Sequence, residues 1–522
     1  MFKRYASLVL CVAAGLALSH TASAQSFKVQ CPMSTKLHPL VNAAGETGKA
    51  NSKLPNPHIK CQQISGGDGF ATMGDGTQTY LFAFGPLSGL SEIVKGLPGT
   101  QTAKDFMTSN LDNSGNVLDV IKIGAPDDAG YTFNGAIGLV PDPEDGGKLN
   151  GHVDPRLIMD VGVLNGNIPA PMIAIDEGDE LFLTLTNVGQ IMRPDLFEQH
   201  TVHFHGYANA SAFYDGVPDA SVAINVGGSF TYYYLAPEAG TYMWHCHISP
   251  PEHLQMGMVG QLYVRPKQNG VTTNLRSALQ AANHDSATSG TGEKCTDILC
   301  AGQTPLPPAP INPVIGAAGQ KYVYNDGDGS TKYDVEYPIQ MHGFDPNFHF
   351  VGMTFNPESF ADNKDKYFLL NGRSYPDTVH AGPLHTQASD GTEHFSQPVP
   401  TVINIPAGGR ALLRFSDLNV TEYHTLASLG IRMHVVGINA RLLRDLDGNN
   451  MDYYTNSITL GGGESLDVIL DASDTTKYHA GQKFYLYTPQ LDHLANDAEN
   501  FGGMMTEVNI CTAVDPLTKT CS

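Results

Sequence analysis

Basic residues are scarce in this sequence. Thirty lysines and arginines face 52 aspartates and glutamates over 522 residues, a formal net charge of −22. Such a surface repels nucleic acid and anionic membranes, so neither is an expected partner. Long apolar runs are lacking as well. The one mostly apolar run, Tyr5 to Leu18, follows Met1-Phe2-Lys3-Arg4 and precedes Ala22-Ser23-Ala24. It reads as a secretory leader over residues 1–24, which makes the protein exported, either periplasmic or extracellular. Nothing else approaches about eighteen apolar residues in a row, so no membrane span is expected. Cys11 sits inside the run with no cleavage signal before it, which argues against a lipid anchor. Beyond the leader, Cys31, Cys61, Cys295, Cys300, Cys511 and Cys521 make an even set that fits three local disulfides in an oxidising compartment. Cys246 stands apart from them.

Helical periodicity is also scarce, and what replaces it is short strands. Thr79-Tyr80-Leu81-Phe82-Ala83-Phe84 is strand-like. Met172-Ile173-Ala174-Ile175, the turn Asp176-Glu177-Gly178-Asp179 and the alternating Leu181-Phe182-Leu183-Thr184-Leu185-Thr186 form the pattern of a small β-sandwich. Residues 25–65 read as an N-terminal extension stapled by two cysteines, and 66–266 as a first domain. Residues 267–312, rich in Ser, Thr, Gly, Asn and Pro, have linker composition. A second β domain follows over 313–512, with a tail over 513–522.

The chemistry concentrates in two stretches of the first domain, His200-Thr201-Val202-His203-Phe204-His205-Gly206 and Trp244-His245-Cys246-His247 with His253, Met256 and Met258 after it. Strand alternation points His245 and His247 one way and Cys246 the other, so two metal environments meet at three consecutive residues. A thiolate followed within a dozen positions by an imidazole and a thioether is the soft donor set of a blue-copper site. His-x-x-His-x-His-Gly followed by His-Cys-His resembles the paired copper motifs of multicopper oxidases. The resemblance implies type 1 copper held by His200, Cys246, His253 and Met258, with Met256 left open as the axial donor. It also implies type 2 and type 3 copper held by His203, His205, His245 and His247. Cys246, His245 and His247 would then carry electrons between the sites. One departure is that His253 lies seven residues after Cys246, where the family has five. The implied fold is all-β: two cupredoxin-like Greek-key β-sandwich domains with an N-terminal extension.

An internal repeat supports the duplication. Leu164-Asn165-Gly166 recurs as Leu370-Asn371-Gly372, Ile175 to Asp179 as Ile405 to Gly409, and Leu183 to Asn187 as Leu413 to Asp417. Following it further, His200, His203 and His205 meet His424, Ala427 and Leu429, while Trp244-His245-Cys246-His247 meets Tyr487-Thr488-Pro489-Gln490. The second domain therefore reads as lacking copper ligands. In the family a cluster that reduces dioxygen takes eight imidazoles from two domains, and this chain has four at matching positions. His342, His349, His380, His385, His394, His434 and His493 are the candidates for the rest, with His342 and His349 first, within the chain or across a homotrimer contact. The expected function is a copper oxidoreductase that couples one-electron oxidation of a small-molecule or metal-ion reductant to dioxygen reduction. No methionine-rich segment argues for a cuprous substrate. A copper nitrite reductase-like enzyme is the alternative, but its pattern has Asp where this chain has His203 and no His after the Cys. A copper-binding or electron-transfer protein without a complete cluster is the third reading.

Overall fold

Alternation along Leu181-Phe182-Leu183-Thr184-Leu185 sends the three leucines to one face, where all are fully buried. This is the inner face of the first of two sandwiches. The computed structural model describes residues 29–108, 165–270 (apart from 191, 194, 207–210 and 237) and 319–522 (apart from 353–358, 388–392 and 446–448). The expected leader and the Cys295/Cys300 pair lie outside these residues. The other two expected disulfides, Cys31–Cys61 and Cys511–Cys521, are present. Among the described residues no helix is long and apolar enough to cross a membrane.

The first sandwich is built from β1 (Ile59–Thr72), β2 (Gln78–Pro86), β3 (Ile173–Asp176), β4 (Glu180–Gly189), β5 (His203–Phe204), β6 (Ser229–Leu235), β7 (Gly240–His245) and β8 (Val259–Arg265). One sheet runs β2-β1-β4-β6 and the other β3-β8-β7-β5. The second sandwich repeats this plan with β9 (Val335–Phe344), β10 (Tyr367–Leu370), β11 (Ile403–Pro406), β12 (Arg410–Asp417), β13 (His424–Leu429), β14 (Glu464–Asp471), β15 (Lys483–Tyr487) and β16 (Met505–Cys511). Its sheets run β10-β9-β12-β14, extended by Met433–Ile438, Arg441–Leu442 and Tyr453–Thr455, and β11-β16-β15-β13, extended by Ser457–Leu460. Even the parallel pairs recur: β1 with β4 and β3 with β8 in the first copy, β9 with β12 and β11 with β16 in the second.

Strand pairing corrects the repeat at one place. His203 opposes His245 across β5 and β7, and Ala427 opposes Tyr487 across β13 and β15. With Ala427 at the place of His203, Tyr487 stands at the place of His245, Thr488 at that of Cys246 and Pro489 at that of His247. The sequence match was one residue out because the two stretches share no residue type, and only the hydrogen-bonded register fixes them. A second correction concerns the extension expected to reach residue 65: β1 begins at Ile59, where Gln62 and Gln63 are buried in the sheet. Buried glutamines hide a strand from hydropathy. A third concerns the linker, because Lys267–Gly270 forms a helical turn whose buried Gln268 donates to Asp326 at 2.9 Å.

The two sandwiches meet over an apolar cluster that joins Met243 and Val259 to Phe344 and Leu369, and over buried polar groups. Arg414, fully buried, lies 3.2 Å from Glu336 and 3.4 Å from Asp467, and Arg265 reaches Glu336 at 2.7 Å. Thr241 at the start of β7 donates to Asp467 at 2.6 Å, and Gln261 donates to the Arg414 carbonyl at 2.8 Å. Burial alone would raise the Glu336 carboxyl, but the two guanidiniums hold it well below the usual carboxylate range. This contact fixes β7, and β7 carries the site.

Candidate metal centre

Cys246 follows β7 directly and is fully buried between the sheets. His253 Nδ1 lies 3.2 Å from its sulfur and His200 Nδ1 4.0 Å from it, and all three donor atoms lie within 4.8 Å of one another. The seven-residue interval to His253 has a structural reason. Ser249, at φ 38°, turns the chain into the short helix α1 (Pro250–Gln255), started by two prolines. A helix advances only about 1.5 Å per residue. The extra residues are thereby absorbed and His253 returns to the sulfur. Met256 and Met258 follow, both fully buried. A Cβ on Gly66 would stand 2.8 Å from the His200 ring and 3.4 Å from the Met258 methyl, so Met258 and His200 flank one point. That proximity favours Met258 over Met256 as the axial donor.

The setting favours the thiolate over the thiol. Burial pushes Cys246 up, but His253 and His200 beside it hold it well below the ordinary thiol value. Burial lowers His253, yet the Cys246 thiolate and the Glu198 carboxylate, 3.7 Å from its Nε2, raise it to about 9. His200 is pushed down by burial. The Thr201 N–H points at the sulfur from 3.4 Å, and the Thr201 hydroxyl accepts the N–H of His247 at 2.9 Å. A thiolate, two imidazoles and a thioether sealed from water form a donor set that fits copper in a trigonal site.

On the other face of β7 the remaining four imidazoles converge. His203, His205 and His245 bring their donor atoms within 4.8 Å, with His205 Nε2 2.8 Å from His245 Nε2. The His247 ring centre is 4.9 Å from that of His203. Backbone groups fix the tautomers: His203 Nδ1–H donates to the Asp215 carbonyl at 2.7 Å, His245 Nδ1–H to the Cys246 carbonyl at 2.6 Å, and the Gly463 backbone engages His205. The Nε2 lone pairs are thus turned toward a common centre, as a second shell does for metal-binding histidines. Burial, reinforced by the neighbouring imidazoles, pulls His245 down to about 3. A cavity of about 650 Å³ opens beside His203 and His205, lined also by Asn439, Arg441, Gly463 and Ser465 of the second sandwich.

Residues 151–269 match a family model described as multicopper oxidase. In that segment the chain is similar to multicopper oxidases. It is 36% identical over 112 residues to the multicopper oxidase MCE of Talaromyces pinophilus, covering 21% of this chain and 17% of that protein. Against the L-ascorbate oxidase of Cucumis sativus it is 32% identical over 111 residues, covering 20% of this chain and 17% of that protein. The chain thus spans 17% of the length of these curated relatives. Among solved structures, the multicopper oxidase mgLAC aligns over 88% of this chain and 93% of its own at 16% identity and TM-score 0.48.

The histidines outside the motifs do not, among the described residues, join either donor group. Among the described residues two groups of three donors lie within 4.8 Å, and neither contains His342, His349, His380, His385, His434 or His493. His349 stacks on Phe344 at 3.5 Å and places its nitrogens at the Tyr80 and Gln255 carbonyls. His342 is buried beside His424, and burial lowers it to about 4. His434 pairs with Asp452 at 3.1 Å. The side chain of His394 lies outside the described residues. Sequence reasoning missed Glu198, Asp215, Thr201 and Gly66, which orient ligands rather than offer donor atoms. Only Glu198 and Thr201 had a signal, their adjacency to His200.

Proposed function

We propose that this protein is an exported copper oxidoreductase that takes single electrons from a phenolic or metal-ion reductant and passes them to dioxygen. The observation that supports the reading is the placement of one sequence segment between two donor sets: Cys246 with His200 and His253 on one side, His245 and His247 with His203 and His205 on the other. Copper held by these residues would supply the one-electron chemistry and the reduction of dioxygen. The chain contributes the rest. Burial keeps water from the thiolate, Glu198 and Asp215 orient imidazoles, and the covalent chain through Cys246 links the two sets without a gap.

Replacing His247 with Ala in the copper-loaded protein is expected to leave the blue absorption intact and to remove copper that absorbs weakly. A colourless wild-type holoprotein would overturn the type 1 assignment. A second reading, an electron carrier with no complete cluster, draws on the count of four imidazoles at the second set. Elemental analysis at one copper per chain, unchanged in the His247 variant, would favour it. The oxidase reading calls for imidazoles beyond these four, and a homotrimer that brings a neighbouring copy to the cavity is the assembly to look for by sedimentation.

A further inference from the structure

Once the register is set by hydrogen bonds, the second sandwich carries more of the first site than its sequence suggests. The Cys246 N–H donates to the Met258 carbonyl at 3.1 Å, and the Thr488 N–H to the Met504 carbonyl at 3.0 Å. The Met258 N–H donates to the His253 carbonyl at 2.9 Å, and the Met504 N–H to the His493 carbonyl at 3.0 Å. His200, Cys246, His253 and Met258 therefore correspond to His424, Thr488, His493 and Met504. Three of four donors are kept, and Thr488 stands for the thiolate.

The surroundings are kept too. The His200 and His253 rings cross at 5.4 Å and 63°, and those of His424 and His493 at 5.9 Å and 86°. Phe82 on β2 packs on His253 at 5.1 Å, and Phe368, in the same place on β10, stacks on His493 at 3.7 Å. Glu198 faces His253 Nε2 at 3.7 Å, and Glu422, likewise two residues before its histidine, faces His493 Nε2 at 3.2 Å. All four residues are buried to within 2%.

His493 Nδ1 is buried with no hydrogen-bond partner, and His424 Nδ1 has only an ion-pair contact with the Asp417 carboxylate at 3.4 Å. The matching Nδ1 atoms of His200 and His253 are the ones that face the sulfur of Cys246. A buried polar atom without a partner is costly, so His493 Nδ1 at a retained site calls for an occupant. Asp417 is therefore a further group beside the site, and an entering ion would displace its contact with His424 Nδ1.

We propose that the second sandwich holds a colourless metal site that binds one cuprous ion through His424, His493 and Met504. The choice of ion follows from the donors. Two imidazoles and a thioether are soft and neutral, and thioethers select Cu(I) among first-row ions. A monovalent ion also loses less hydration on burial than a divalent one where no thiolate balances the charge. Met341 takes the register position of Gly66, which in the first copy abuts both the His200 ring and the Met258 methyl. It is buried in one core with Met504 and Phe368, so a second thioether enters the same region.

The full-length protein, titrated anaerobically with Cu(I) against a chromogenic chelator, tests this directly. His493→Gln is expected to bind one cuprous ion fewer per chain than wild type while the blue absorption from Cys246, read in a separate Cu(II)-loaded portion of the same preparation, stays the same. An unchanged Cu(I) count would overturn the proposal. Because His493 is buried and its variant can misfold, Thr488→Cys, which is nearly isosteric, gives an independent answer. Restoring the thiolate is expected to about double the blue absorption per chain, and blue intensity equal to wild type in the copper-loaded, folded variant would overturn the site. Loss of blue colour in the wild type would instead count against the first site alone.

Discussion

The two sandwiches share strand orders, parallel pairs and the backbone bonds that seat four site residues, and they part at a few side chains. Cys246 answers to Thr488, Gly66 to Met341, His203 and His205 to Ala427 and Leu429, and His245 and His247 to Tyr487 and Pro489. The scaffold alone therefore does not make a redox centre. What it supplies is a fixed set of positions, and the residue at each decides between a thiolate site, a neutral site and none. The largest effect expected from this comparison comes from carrying the second copy's residue into the first. Cys246→Thr should abolish the blue band and reduce oxidase activity to background, because a hydroxyl supplies neither the charge-transfer band nor an anionic donor. Retention of colour in that variant would mean that the chromophore lies elsewhere.

Next in size is the contact that holds the copies together. Glu336 is the shared acid of Arg265 and Arg414, and Arg414 also rests on the Tyr263 ring at 4.7 Å. Removing one partner of a buried pair leaves an uncompensated charge and costs about 3–5 kcal/mol. Glu336→Gln should lose that much in urea denaturation, with the transition splitting if the two sandwiches then unfold separately. A loss below about 1 kcal/mol, the range of an exposed pair, would show that the contact is solvated in solution.

Much of this was legible beforehand, and the reason is chemical. Spacings such as His203-x-His205 and His245-Cys246-His247 put donors on defined strand faces, and the resemblance to multicopper oxidases supplied His200, His253 and Met258 beside them. The repeat in Leu183 to Asn187 and Leu413 to Asp417 was legible because both segments are inward-facing strands with similar residues. Tyr487 and Thr488 gave no such signal, since nothing in their side chains matches His245 and Cys246, and a one-residue slip is invisible without hydrogen bonds. His493 was considered only as a donor for the dioxygen cluster, and the structure places it in the second core instead. Orienting groups such as Asp215 act through a backbone carbonyl, which no residue type announces.

A smaller effect is expected at Gly66. Its Cα approaches the His200 ring so closely that a methyl group would stand 2.8 Å from Cδ2, against fully buried neighbours that have little room to yield. The second copy accommodates Met341 at the same position with its own imidazole. Overpacking of this kind costs about 1–3 kcal/mol. Gly66→Ala should lose that much stability and shift the blue band as His200 moves, whereas Met341→Ala should change stability without touching the band. Equal bands in wild type and Gly66→Ala would show that His200 does not set the chromophore.

The finest distinction between the copies concerns protons. In the metal-free first site the Cys246 thiolate and Glu198 keep His253 protonated up to about pH 9, although burial alone would discharge it. The folded value lies above the ordinary one of about 6.5. The pair's contribution to stability is thus fully present below about 6.5 and is lost as pH rises through about 9. Copper needs the His253 Nδ1 lone pair, so binding at pH 7 must expel that proton, and apparent affinity should rise about tenfold per pH unit until about 9 and then level off. The two imidazoles hold the Cys246 thiol well below its ordinary value, which favours the thiolate before copper arrives, and burial pushes His203, His205 and His245 toward the neutral form. Copper loading in weakly buffered solution at pH 7 should therefore release close to one proton at the first site. In Cys246→Thr, where the residue matches Thr488 and no thiolate holds the imidazolium, the release should fall toward zero. Proton release that stays the same in the variant would show that the thiolate and His253 are not paired before the metal arrives.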